Sequence, residues 1–217
     1  RNNSGEFYGP IRLRESLIQS LNIVSIKLVQ SLGLPKTIDC FEKYKFQEEM
    51  LTNDLSIALG TGTLNPLIAA TQYSSFINNG KHQNIAYIDR IEDINGQIIL
   101  DPNNNYSKKV KNFKNVSFPG LSSEKFDYTG APMIALDDFK QAQVMDERVA
   151  FLMSNILKEA LKRNANRRGL KIPIENMGGK TGTTNDATST WFSGYASHIV
   201  ASAWVGKDDG SSLGENE

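Results

Sequence analysis

The chain has 217 residues and a mass of 24.1 kDa, enough for one domain. Its 24 Lys and Arg balance 24 Asp and Glu, which excludes the basic excess of a nucleic-acid binder and a polybasic membrane patch. With 39% apolar residues, one cysteine (Cys40) and no apolar run of the ~20 residues a membrane helix needs, it reads as a globular chain without an internal disulfide. The chain opens on Arg1 rather than Met and shows no signal-peptide pattern. A fragment of something longer is the expectation.

Residues 1–9 are polar and read as a loop. Leu13, Leu17 and Ile18 share a helical face, and Ile23, Ile26, Leu28 and Val29 follow. The spacing predicts a short helix, a break near Ser20–Asn22, and a second helix ended by Gly33 and Pro35. Around residues 65–80, Asn65 can cap, Pro66 suits the first helical position, and Gly80 follows the end. Residues 84–100 read as a β-hairpin, with Ile85–Ile94 and Gln97–Leu100 flanking Asn95-Gly96.

Residues 101–140 lose periodicity; Pro102–Tyr106 is Asn-rich and Lys108–Lys114 is basic. They read as a polar loop or insertion, since a long structureless stretch does not fit a compact core. Asp146 then opens the strongest helix, with Val149, Leu152, Met153, Ile156, Leu157, Ala160 and Leu161 at 3–4 spacing. Arg163, Arg167 and Arg168 suit its C-terminal end. Beyond Gly169, the stretches Ile172–Gly182, Trp191–Ala196 and Ile199–Gly206 read as closely linked strands.

The sharpest chemical feature is Lys180-Thr181-Gly182-Thr183-Thr184. On an edge strand, Gly182 lets a ligand backbone approach, Thr181 and Thr183 offer hydroxyls, and Lys180 supplies a cation. That set suits an extended peptide ending in a carboxylate, added to the sheet as a further strand. A Lys-Thr-Gly tripeptide by itself is as well explained by a polar strand end.

Its surroundings narrow the choice. The run continues through Asn185-Asp186 to Trp191-Phe192-Ser193-Gly194-Tyr195 and Trp204-Val205-Gly206-Lys207-Asp208-Asp209. Earlier lies Ser20-Leu21-Asn22, inside Gly9-Pro10-Ile11-Arg12-Leu13-Arg14-Glu15-Ser16-Leu17-Ile18-Gln19, with Lys180 158 positions after Asn22. In these segments, in residues 59–80 and in Val144-Met145-Asp146-Glu147-Arg148-Val149-Ala150, the chain resembles the C-terminal part of the transpeptidase domain of class A penicillin-binding proteins. That family carries Ser-x-x-Lys, Ser-x-Asn and Lys-Thr-Gly motifs. Residues 101–140 stand outside the resemblance.

One motif is out of place. Ser122-Ser123-Glu124-Lys125 is the single Ser-x-x-Lys. It follows Ser-x-Asn, whereas the family places its nucleophile before it, so it reads as a chance match. The nucleophilic serine and its lysine are expected upstream of Arg1, which makes an upstream segment the implied partner.

The resemblance implies an α/β (α+β) fold, an antiparallel sheet flanked by helices on both faces and incomplete in this chain. It implies a peptidoglycan D,D-transpeptidase that cross-links stem peptides through an acyl-enzyme and is a target of β-lactams. Ser20 would relay a proton, Asn22 would bond the acyl amide, Lys180 would hold Ser20, and Thr181, Gly182 and Thr183 would bind the substrate, with the Thr183 N–H in the oxyanion hole. It implies placement at the outer face of the bacterial cytoplasmic membrane, through a missing N-terminal anchor, beside a glycosyltransferase domain. The chain alone would be inactive. A serine D,D-carboxypeptidase, a β-lactamase and a non-catalytic β-lactam-binding sensor are the alternatives. No metal, cofactor or nucleic-acid partner is expected: Asp208-Asp209 reads as a turn, His82 and His198 lack ligand spacing, and Trp191 and Trp204 read as core aromatics. Asn115-Val116-Ser117 matches a glycosylation acceptor and carries no weight.

Overall fold

A computed structural model describes residues 8–85, 90–101, 106–107, 141–173, 175–184 and 187–214. Ser122–Lys125, Asn115–Ser117, Asn185-Asp186 and most of the 101–140 stretch lie outside these residues. The chain divides into two compact units, residues 84–141 and the remainder.

The larger unit is built on a three-stranded antiparallel sheet. Its strands are β6 (Met177–Thr183), β7 (Ser189–Ala196) and β8 (Ile199–Gly206), in that spatial order. The first strand begins at Met177 rather than Ile172, so residues 170–173 are connection. The helix α5 (Glu147–Arg167) packs against β6, and α4 (Pro66–Ile77) packs against β7, β8 and α5. This is the mixed helix-and-antiparallel-sheet class expected from the sequence.

The helix ends follow their caps. Asn65 Oδ1 accepts the Ile68 N–H at 2.9 Å, with Pro66 in the first turn. Asp146 Oδ1 accepts the Arg148 N–H at 2.9 Å at the start of α5. α1 (Leu13–Gln19) and α2 (Asn22–Leu32) break at Ser20–Leu21, as the sequence suggested. α2 ends at Leu32 with Gly33 as its cap, as the sequence suggested. A third helix, α3 (Leu34–Lys43), starts there, because a proline in the first turn forfeits an N–H that no helix uses.

Short strands β1 (Lys81–His82) and β5 (Ala142–Gln143) pair antiparallel. The Gly80 carbonyl accepts the Val144 and Met145 N–H groups, and Gln143 Nε2 donates to the Asn79 and Met145 carbonyls. Gly80 has φ +79°, and a Cβ there would strike the Met145 carbonyl, so the position is bound to glycine.

In the smaller unit, β2 (Ile91–Glu92), β3 (Ile98–Asp101) and β4 (Tyr106–Ser107) form an antiparallel sheet in that order. A hairpin turns around Asn95-Gly96, but of the first strand expected over Ile85–Ile94 only Ile91–Glu92 is strand, residues 86–89 lie outside the described residues, and the turn is longer than two residues. Asp93 accepts the Asn95 and Gln97 N–H groups, and Gly96 closes the turn at φ +78°.

Trp191 and Trp204 are cross-strand partners with ring centroids 6.5 Å apart. Trp204 is 42% exposed, so it is not the core aromatic expected. Period-two alternation puts it on the strand but does not say which face is covered. Cys40 is exposed. His82 is buried on β1, whereas His198 lies in the β7–β8 turn. No cluster of metal-binding side chains occurs among the described residues. No helix among them is long and apolar enough to cross a membrane.

Candidate active site

Two distant segments meet at the middle of β6. Lys180 Nζ donates to Ser20 Oγ at 2.8 Å across 160 positions of chain, and also to the Thr181 carbonyl at 2.8 Å. Lys180 is half-buried, and burial pushes its ammonium below the ordinary lysine value. Because the ammonium donates to Ser20 Oγ, the serine's own proton is left free to point at a third group.

Ser20 sits where the end of α1 calls for glycine. The Leu21 N–H bonds the Ser16 carbonyl at 3.0 Å and the Ser20 N–H bonds the Leu17 carbonyl at 3.2 Å. These are the two bonds of a Schellman closure. Ser20 occupies its left-handed position with φ 60° and ψ 47°. A side chain in that region costs about 1–3 kcal/mol and persists where function retains it. The hydroxyl is thereby held exposed toward Lys180, while Leu21 turns into the core. Asn22 follows as the first residue of α2.

α1 is anchored from outside. Arg14 forms an ion pair with Glu159 at 2.6 Å and donates to Asn155, one turn earlier on α5. The same helix, α5, reaches the sheet twice, once on β7 and once on β6. Tyr195 Oη donates to the Ser154 carbonyl at 2.9 Å, and Asn164 Nδ2 donates to Thr181 Oγ1 at 3.3 Å. Neither Arg14 nor Asn164 carries a motif that sequence reading could have seized on.

β6 is an edge strand among the described residues, paired only with β7. The Thr184 N–H bonds the Ser189 carbonyl and the Ser197 N–H bonds the Asn176 carbonyl. Both pairs obey the register Lys180↔Ser193, so the even-numbered residues of β6 bond β7. Hydrogen bonds of antiparallel strands alternate, so Thr181 and Thr183 present their N–H and C=O groups along the open edge. Thr184 Oγ1 accepts the Thr188 and Ser189 N–H groups and locks the turn beyond.

Gly182 is exposed, and an added Cβ would meet only Trp191 Cβ at 3.8 Å, an ordinary contact. Among the described residues nothing requires glycine there. By contrast, Gly178 lies under Tyr195 and Gly179 under Phe192. The backbone at Gly182 is thus open to close approach. Thr183 Oγ1 lies 3.4 Å from Thr190 Oγ1 and is exposed. Ser20, Lys180 and Thr181 are thus joined directly, and Asn22, Gly182 and Thr183 follow them along the chain.

The model for the penicillin-binding protein transpeptidase domain matches residues 1–209. Penicillin-binding protein 1A of Pseudomonas aeruginosa is 35% identical over 100% of this chain, and that of Vibrio cholerae is 32% identical over 97%. The chain spans 28% and 26% of the lengths of these relatives. The crystal structure of penicillin-binding protein 1A from Haemophilus influenzae superposes with a TM-score of 0.72 at 26% identity, covering 100% of this chain and 33% of that one. The chain belongs to the penicillin-binding protein transpeptidase family.

Proposed function

We propose that residues 1–217 supply the Ser-x-Asn and Lys-Thr-Gly sides of a peptidoglycan D,D-transpeptidase site. The observation that carries this reading is the 2.8 Å contact from Lys180 Nζ to Ser20 Oγ beside an open strand edge. A stem peptide lies along β6, bonding the outward groups of Thr181 and Thr183 as an added strand. Lys180 and the two threonine hydroxyls hold its terminal carboxylate.

The nucleophile is a serine on sequence outside residues 1–217. Its oxygen attacks the penultimate D-alanyl carbonyl, and the Thr183 N–H stabilises the developing oxyanion. The peptide C–N bond breaks, and the departing D-alanine receives a proton relayed through Ser20. Asn22 bonds the acyl chain's amide. The amine of a second stem then attacks the ester, forming the cross-link and releasing the serine. A β-lactam enters the first half of this sequence and stays as a stable ester. The working protein is placed at the outer face of the cytoplasmic membrane, with an anchor and a glycosyltransferase domain outside these residues.

Fluorescent penicillin tests the reading. The expected result is covalent labelling of the full-length gene product and no labelling of residues 1–217 expressed alone. A label on the isolated 217 residues would overturn the placement of the nucleophile. An unlabelled full-length product would overturn the function.

A further inference from the structure

We propose that Asn164 is a positioning residue that fixes the proton of the Thr181 hydroxyl toward the open edge of β6. The inference rests on the reading of that edge as a carboxylate site. A threonine hydroxyl carries one proton and two lone pairs and can turn either to its surroundings. Turned the wrong way, Thr181 would present a lone pair to an arriving carboxylate and repel it. Asn164 Nδ2 donates to Thr181 Oγ1 at 3.3 Å and so occupies the accepting side of the oxygen. The hydroxyl proton is left to point away from α5.

Lys180 does not do this work. Its ammonium donates to the Thr181 carbonyl and to Ser20, not to Thr181 Oγ1. Asn164 is itself held in place. It stands in the last turns of α5, whose N-terminal half is pinned to the sheet through Ser154 and Tyr195. It is half-buried and brings a donor without adding charge.

The test compares acylation of the full-length gene product by benzylpenicillin and by its methyl ester, which lacks the carboxylate. The wild-type protein is expected to favour the acid. Asn164→Leu and Asn164→Ala are each expected to shrink the acid-over-ester ratio roughly tenfold, the scale of one hydrogen bond to a charged group. On a Thr181→Val background the same changes are expected to leave the ratio unmoved, because Asn164 acts through that hydroxyl. Asn164→Gln, which retains a donor, is expected to restore part of the preference. Equal slowing with acid and ester would overturn the proposal and make Asn164 a structural residue. A ratio that falls as far without the Thr181 hydroxyl as with it would overturn it too. Failure of wild-type acylation would instead sink the functional reading on which it depends.

Discussion

Tyr195 crosses the backbone of Gly178 to place its hydroxyl on the Ser154 carbonyl, 2.9 Å away. The two residues are partners in the β6–β7 register, so the glycine gives the ring its passage to α5. Gly178→Ala is expected to drive the ring aside and destabilise the protein by about 1–3 kcal/mol, as overpacking does. Tyr195→Phe keeps the ring and loses the hydrogen bond, at a cost of about 1 kcal/mol. Urea denaturation of the two variants checks the order; equal effects would show that the hydroxyl, not the passage, matters.

Ser20→Gly separates strain from chemistry. Glycine adopts φ 60° freely, so the change is expected to stabilise the protein by about 1 kcal/mol while penicillin acylation falls steeply. Calorimetry and labelling on the same preparation check this. A lower Tm would mean that the Lys180 contact outweighs the backbone strain.

Lys180 sets an alkaline limit. Burial disfavours its ammonium, so the proton leaves at a lower pH than the ~10.4 of a free lysine. Below that depressed value the cation is present and Ser20 is held by a charged donor; above it the charge is lost and the hydrogen bond weakens. Acylation is therefore expected to decline as pH rises, before free lysine would titrate. Lys180→Met is expected to slow acylation about 10- to 100-fold at neutral pH. Lys180→Arg, though misfitted, should erase the alkaline limb because guanidinium does not titrate there. A limb unchanged in the arginine variant would assign it to another group.

Arg14 reaches Ser20 only through α1. Its pair with Glu159 is partly exposed and contributes at most about 1 kcal/mol to stability. Arg14→Met is expected to change unfolding little, yet slow acylation several-fold to roughly tenfold by loosening the helix that ends on Ser20. A double-mutant cycle with Glu159→Gln, read in both stability and acylation, checks it; parallel losses in the two would reduce Arg14 to a stabilising contact.

Asp146 links the start of α5 to pH. The Arg148 guanidinium, and then its backbone N–H, hold the carboxylate down to about 2. A depressed carboxylate stabilises the folded state above its unfolded value of about 3.9, and that contribution is lost as pH falls through about 2. Asp146→Asn still accepts the Arg148 N–H but cannot titrate. Stability measured across this acid range should flatten in the variant; an identical slope would place the titration elsewhere.

Much of this was legible in the sequence because local signals are strong where helices start. Asn65-Pro66 and Asp146 mark their helices, since a cap acts within its own turn. Gly33 and Pro35 mark the end of α2, and Pro35 also sits in the first turn of α3, a start that no capping side chain announces. The two-residue strands Lys81–His82 and Ala142–Gln143 are too short for any periodicity. Lys180 and Ser20 were found through their motifs. Asn164, amid Arg163 and Arg167 near a helix end, looks like a solvated position. Its link to Thr181 exists only once α5 lies along β6.

The pairing of β1 with β5 has a consequence for how such chains change. It clasps residues 81–82 to residues 142–143, bringing the two ends of the intervening sequence side by side. Closing a longer span costs only about 0.6 kcal/mol for each doubling of its length. A change in the length of the sequence between these two strands is therefore cheap in chain closure, and evolution can make it without moving either strand's partner.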